Sequence, residues 1–324
     1  MRRILEKRQI KNSGVFITTL GFGASALGNM PDTYGYSVSH DRAQLALDAM
    51  FDSPVNWIDS SRNYGFGRSE ERIGQAIARH GGLPTGHVIS TKLDRHFDAN
   101  SFTASDARRS VEHSLKALGV DKIDILHLHD PEHARDLTEI TSTGGALDEL
   151  FKMKEEGIAT CVGLAMGRVD MMMPLLHDWD FDVLINHNRF TLLNRHADDM
   201  YSYAHSKGIA IINAAPFAGG ILAKGTSQTH KLSYQDADHA ALEPVRQIEA
   251  ACTRHNVDMG AAALQFSMND PRITSTLVGV SRPESVAQTL GWMSADISDE
   301  FWSDIAKIGY STADPEANRI YQPG

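Results

Sequence analysis

At 324 residues, 42% of them hydrophobic and 22% charged, the chain has the make-up of a globular protein large enough for one α/β barrel or two smaller domains, and no apolar run approaches the roughly 20 residues that span a bilayer. A formal net charge of -10 argues against a nucleic-acid surface, because gripping a phosphate backbone requires a basic face. The two cysteines, Cys161 and Cys252, have neither CxxC nor metal-type spacing, and Met1-Arg2-Arg3-Ile4-Leu5 carries no apolar leader core; a reduced, cytoplasmic setting without a membrane partner is expected.

In chain order, Ile4–Ile10 and Gly14–Thr18 flank the turn-like Lys11-Asn12-Ser13-Gly14 and predict a β-hairpin placed to plug the bottom of a barrel. Short apolar runs of strand type then alternate with segments of helical period. The strand Thr19–Ser25 precedes the helix Asp41–Phe51, Trp57–Ser61 precedes Ser69–Arg79, His87–Lys92 precedes Thr103–Leu118, and Ile123–His129 precedes Gly145–Glu156. Cys161–Met166 precedes Arg168–His177, Val183–His187 precedes Arg195–Ser206, Ile209–Ala215 precedes Asp258–Met268, and Ser275–Val280 precedes Pro283–Leu290. Thr103 and Asp106 supply a helix start, and Gly119, Gly157 and Gly208 stand where helices must end.

Eight βα units without a composition break predict an α/β fold: a single (β/α)8 TIM barrel over residues 1–324, with an N-terminal β-hairpin and a C-terminal helical extension. Strands in such a fold are parallel, buried on both faces and joined by right-handed crossovers. Two segments exceed the eight units. Ala218–Leu242 is a long loop with the character of a lid, and Ser294–Gly324 reads as a helix followed by a tail.

Barrel active sites lie at the carboxyl ends of the strands, which directs attention to Asp59 and Tyr64 after the second strand, Lys92 ending the third and His129 ending the fourth. A free phenol, with a pKa near 10, is a poor acid or base at neutral pH unless a neighbouring cation favours the phenolate. Lys92 is expected to be that cation, with Asp59 holding it charged and His129 hydrogen-bonding a substrate carbonyl oxygen. His127 and His129 share one strand face, but no third ligand stands at a fitting spacing, so no metal centre is predicted.

Four stretches together resemble the aldo-keto reductase superfamily: Leu20-Gly21-Phe22-Gly23-Ala24; Ile58-Asp59-Ser60-Ser61-Arg62-Asn63-Tyr64-Gly65 with Ser69-Glu70; Ser90-Thr91-Lys92; and Asp121 through Pro131. The resemblance implies a barrel that uses NAD(P)H without a Rossmann domain and a catalytic tetrad of Tyr64, Asp59, Lys92 and His129. It further implies a cofactor cradle from Gly23, Ala24 and Asp59; from Ala165, Met166 and His187; from Ala215, Pro216, Phe217 and Gly219; and from Gly279, Ser281, Arg282, Ser285 and Thr289. Where relatives have a Ser-Asn pair for the nicotinamide carboxamide, this chain has Gly163-Leu164-Ala165-Met166, and where they have a Gln it has His187. Ala214 replaces the usual stacking aromatic, with Phe217 placed to cover the ring or the pyrophosphate from a neighbouring position. Positions that hold a Lys and an Arg in NADPH-preferring relatives look like Gly279 and Ser285, which favours NAD, with Arg282 as a remaining phosphate partner.

Within the superfamily the chain looks most like the branch of aldose 1-dehydrogenases, with pyridoxal dehydrogenases alongside. That likeness implies oxidation of an aldose C1 hydroxyl to a lactone with Tyr64 as base, and a small sugar or aldehyde substrate whose polarity is met by His127, Asn188 and Asp130. The same tetrad run in reverse is an NADPH-dependent aldehyde or ketone reductase. A reading of another class is a nucleotide-sensing regulatory β-type subunit, to which the complete tetrad and the lack of a long N-terminal extension are opposed.

Overall fold

The computed structural model describes residues 5–319, so Ile4 of the expected hairpin and residues 320–324 of the expected tail lie outside the described residues. Strands β1 (Lys7–Gln9) and β2 (Phe16–Thr18) pair antiparallel as the expected hairpin. Eight parallel strands then close in sequence order: β3 (Leu20–Gly23), β4 (Trp57–Asp59), β5 (Val88–Leu93), β6 (Ile123–His129), β7 (Ala159–Ala165), β8 (Val183–His187), β9 (Ala210–Ala214) and, after the short ribbon β10 (Lys231–Leu232) and β11 (Gln235–Asp236), β12 (Ser275–Gly279), which returns to β3. The predicted (β/α)8 barrel is the observed fold.

Side chains alternate across each strand. Leu20, Phe22, Ile58, Ile89, Leu126, Val162, Leu184 and Val278 point outward into a layer shared with helix residues such as Leu47, Ile73, Val111, Leu150 and Met200. The inward set divides by height. At the bottom, Trp57, Val88, Ile125, Cys161, Val183, Ala210 and Ile212 pack with Ile10, Val15 and Ile17 of the hairpin, so the hairpin plugs the barrel from below. At the top of β4, β5 and β6 the inward residues turn polar, and that change of chemistry along three adjacent strands creates the site.

Helix ends follow their local signals. Thr103 and Asp106 form a reciprocal capping box, and Gly119, Gly157 and Gly208 all take φ near +70°. The helix Asp198–Ser206 begins later than predicted because the Arg195 amide is used instead to bond Ser311 O at 2.9 Å. The helix Glu243–His255 is an element the periodicity reading passed over. Pro244 in its first turn and interleaved charges mask an apolar face of Val245, Ile248, Ala251 and Cys252, which packs with Leu192, Ile221 and Phe301 in a cluster of its own. The expected lid, Ala218–Leu242, is more structured than a loop: it holds the turn Ala218–Gly220, the helix Ile221–Lys224 and the ribbon. The C-terminal extension contains the expected helix, Asp299–Ile305.

Gly21 shows how tightly the interior is specified. Trp57 is fully buried, its indole N–H lies 3.2 Å from both Thr18 O and Ser275 Oγ, and a Cβ added at Gly21 would stand 2.0 Å from its ring. Since indole and backbone occupy that space, Gly21→Ala is expected to destabilise the fold by about 3 kcal/mol through forced repacking, read as a lower denaturant midpoint at unchanged m-value.

Candidate active site

The strand register assembles the polar end of the barrel. Asp59 pairs with Ser90 across β4–β5, and Lys92 pairs with His127 across β5–β6. Lys92 Nζ donates to Asp59 Oδ2 at 2.6 Å and to Ser60 O at 2.6 Å, while Ser90 Oγ donates to the other Asp59 oxygen at 2.7 Å. Both ionic side chains are almost wholly buried, at 2% and 3% exposure, so each needs the other: removing one member of such a pair strands a charge and costs about 3–5 kcal/mol.

Tyr64 is delivered by the loop after β4. Gly65 (φ +64°) runs so close to Gly28 that a Cβ on it would meet Gly28 O at 2.0 Å. Beyond it, Ser69 ties the loop to β3 through Ala24 O at 2.8 Å, and buried Glu70 accepts from Thr91 at 2.6 Å. The Ser69-Glu70 pair therefore shapes the loop that carries the phenol. Lys92 Nζ lies 4.8 Å from the Tyr64 ring centroid, and the His129 ring meets Tyr64 edge-on at 5.7 Å.

The charge balance around Tyr64 differs from the sequence expectation. Burial of the hydroxyl, followed by the negative charges of Asp59, Asp130 and Asp94, holds its pKa well above that of a free phenol. Lys92 spends its short contacts on Asp59 and Ser60 rather than on the phenol, so Tyr64 keeps its proton at neutral pH. Burial alone would discharge His129, but Asp130 and Asp94 outweigh it and raise the imidazole above its ordinary value.

Asp94 is a site residue that sequence reasoning missed. Its Oδ1 lies 2.6 Å from His129 Nδ1, and its Oδ2 accepts from Ser61 Oγ at 2.7 Å and from the Asn63 amide at 2.9 Å. This fixes Nδ1 as a donor and turns Nε2 outward, toward Asp130 Oδ2 at 3.5 Å. The available signal was the strand period: Asp94 follows Lys92 by two and so keeps to the same side of the chain.

These groups open into a cavity of about 1450 Å³. Every residue of the expected tetrad and cofactor cradle lines it except Ala24, which is fully buried and donates its amide to Asp59 O at 2.8 Å. Of the three groups expected to meet substrate polarity, Asp130 lines the cavity, whereas His127 and Asn188 are fully buried and outside its wall. Both ring nitrogens of His127 lack a hydrogen-bond partner, and burial drives its pKa well below that of an exposed histidine.

The cavity is long, and its wall changes character from one end to the other. Near Tyr64 the wall is Ala165, Met166 and His187; along the middle it is Ala215, Pro216 and Gly219, with Phe217 held edge-on by Trp292 at 5.5 Å. At the far end, Ser281, Arg282 and Ser285 surround the start of the helix Pro283–Ser294, which has no side-chain cap; Pro283 brings no N–H and the Ser285 amide bonds Arg282 O at 3.1 Å. Gly279 has open space where a side chain would project.

Part of the remaining wall comes from the C-terminal segment. Glu316 is buried and paired with Arg189, with His187 Nε2 at 3.0 Å and with Arg319 at 2.5 Å, while Asp314 reaches Arg189 at 2.7 Å. Burial would raise the Glu316 pKa, but His187 and Arg189 prevail and hold it far below the carboxylate range. Arg319 also covers Tyr234 at 4.9 Å, and Gln235 Nε2 donates to Pro315 O at 2.9 Å. Little of this was legible locally, because apart from the Glu316–Arg319 pair the partners lie 80 or more residues apart in the chain.

The aldo/keto reductase family model matches residues 19–309. This chain belongs to the aldo/keto reductase family. It is thus an NAD(P)-dependent oxidoreductase. Among its relatives, pyridoxal 4-dehydrogenase of Microbacterium luteolum is 27% identical, with 94% of this chain and 97% of that protein covered. D-threo-aldose 1-dehydrogenase of a Pseudomonas species is 28% identical, with 91% and 95% covered, and L-galactose dehydrogenase of Arabidopsis thaliana is 29% identical, with 94% of each covered.

In this aldo/keto reductase the backbone after β7 is held from both sides. Glu132 Oε1 accepts from the amides of Gly167 at 2.9 Å and Arg168 at 3.3 Å, and Asn186 Nδ2 donates to Met166 O and Gly167 O, each at 2.9 Å. Burial and the charge of Asp130 push the Glu132 carboxyl up to about 7. The folded chain therefore binds a proton there that the unfolded chain has released, so this contribution to stability is full below about pH 4.5 and lost as pH rises through about 7. Glu132→Gln is expected to flatten the fall in melting temperature across that window, measured by thermal melts in a series of buffers.

Proposed function

We propose that the protein oxidises the C1 hydroxyl of an aldose of the D-threo or L-fucose type to a lactone, with Tyr64, Lys92, Asp59 and His129 as its catalytic tetrad. The observation that carries this reading is the convergence of those four side chains at one end of a long cavity. The names of three relatives that act on sugars or on pyridoxal support the substrate class. When bound, the oxidised nicotinamide would supply the hydride acceptor. Tyr64 exchanges the proton of the reacting oxygen, the Lys92–Asp59 pair holds that proton's surroundings fixed, and His129 Nε2 binds the same oxygen.

Ala165, Met166 and His187 would hold the nicotinamide, Ala215 through Gly219 the pyrophosphate, and Ser281, Arg282, Ser285 and Thr289 the adenosine end. NAD is preferred in this reading because Gly279 and Ser285 place no cation at the ribose, and Glu284, in the first turn of that helix, lies 3.5 Å from Arg42. The two buried, unpaired cysteines fit a reducing, cytoplasmic compartment. The raised pKa of Tyr64 favours a second reading, reduction of an aldehyde with Tyr64 as acid.

The deciding assay follows reduced-nicotinamide absorbance with NAD and NADP against L-fucose, D-arabinose, L-galactose, pyridoxal and simple aldehydes. Oxidation of an aldose is the expected result, and turnover solely in the reductive direction with NADPH overturns it. Tyr64→Phe is expected to lower kcat about 1000-fold in a folded protein, in line with loss of a general acid–base group; near-normal turnover would remove Tyr64 from the mechanism.

A further inference from the structure

Asp130 is built in a way its neighbours do not require. It takes a left-handed conformation (φ 43°, ψ 50°), which is costly for a residue with a side chain, and this places it directly after His129 at the rim of the barrel. Asp is a frequent helix-capping residue, yet here the side chain makes no cap bond to the turn Pro131–His133 that it precedes. Its amide is bonded instead, to Ala165 O at 2.9 Å. The twist in the backbone thus removes the carboxylate from a local role and turns it toward the cavity that it shares with Tyr64, Lys92 and His129.

The surroundings favour a working acceptor. Asp130 Oδ2 stands 3.5 Å from His129 Nε2, an ion-pair distance longer than a normal hydrogen bond. The Arg95 guanidinium adds favourable charge. Although burial would favour the neutral acid, the charge of His129 outweighs it and lowers the Asp130 pKa. An ionised carboxylate has acceptor sites and no donor, so it recognises hydroxyl or amine groups and repels anions.

We propose that Asp130 is a specificity-determining residue that accepts a hydrogen bond from the substrate hydroxyl on the carbon adjacent to the reacting one. His129 Nε2 offers a donor and Asp130 Oδ2 an acceptor side by side. That is the complement of two neighbouring oxygens, of which the first is reacting and the second carries a proton. The class selected is neutral polyols and hydroxyaldehydes, and a phosphate or carboxylate at that adjacent carbon meets like charge. The inference rests on the aldose reading for its natural substrate, but the geometry requires only an adjacent hydroxyl.

The test compares kcat/KM for paired substrates in the wild type, Asp130→Asn and Asp130→Gly. Asn and Gly both tolerate left-handed backbone, so the fold is retained, and circular dichroism confirms it. One pair is an aldose and its 2-deoxy counterpart in the oxidative direction; the other is lactaldehyde and propanal in the reductive direction. The wild type is expected to prefer the hydroxylated member of each pair it turns over by about 100-fold or more, since a site built for a hydroxyl penalises its loss. Both variants are expected to reduce that ratio at least tenfold. A ratio unchanged in the variants, with both substrates falling by one factor, would mean that Asp130 acts only through His129 and would overturn the proposal, as would a wild type indifferent to the hydroxyl. If no aldose is oxidised, the aldose reading fails by itself, and the aldehyde pair still decides the role of Asp130.

Discussion

A lysine and an aspartate joined by a hydrogen-bonded ion pair deep inside the barrel are the constraint on which the rest of this molecule depends. Lys92 and Asp59 cannot be buried singly, and they meet only if β4 and β5 pair in one register. A one-residue slip of either strand would turn its member of the pair outward, toward the helices, and leave the other charge buried alone. The charged pair thus acts against alternative pairings of the same strands, while the hydrophobic residues beneath it provide the driving force for closure.

The barrel interior is divided by chemistry as well as by height. On the side of β4, β5 and β6, the inward positions near the top hold Asp59, Ser90, Lys92 and His129. On the side of β7, β8 and β9, they are Ala165, Ile185 and Ala214. A proton-handling wall therefore faces an apolar one across the mouth, which is the asymmetry a flat, partly apolar ring opposite a polar substrate requires. Glycines at matching positions of β3 and β12, Gly23 and Gly279, complete the circuit without adding bulk.

Much of this was legible in the sequence because it rests on short-range rules. Alternation of apolar runs with helical segments identified eight strands, and the strand-end rule selected Asp59, Tyr64, Lys92 and His129. The parts that were not legible depend on distance in space. Asp94 belongs to the site because β5 lies beside β6, and Glu316 belongs to it because a chain end folds back across β8. The ionisation of Tyr64 shows a different limit. Residue types announced that a lysine would be near the phenol, but only coordinates show that the carboxylate and a carbonyl claim its charge first. His127 likewise reads as a pocket residue from its place in the strand, yet it lies below the cavity floor in the closed interior.

The C-terminal wall has a consequence for biosynthesis. A chain emerging from the ribosome can close its barrel once β12 pairs with β3 and β9, yet the counter-charges for Arg189 arrive only with Asp314 and Glu316. The last wall of the mouth is therefore added by residues that follow every barrel strand in the chain, so the eight-stranded scaffold and the finished cavity are specified by different stretches of sequence.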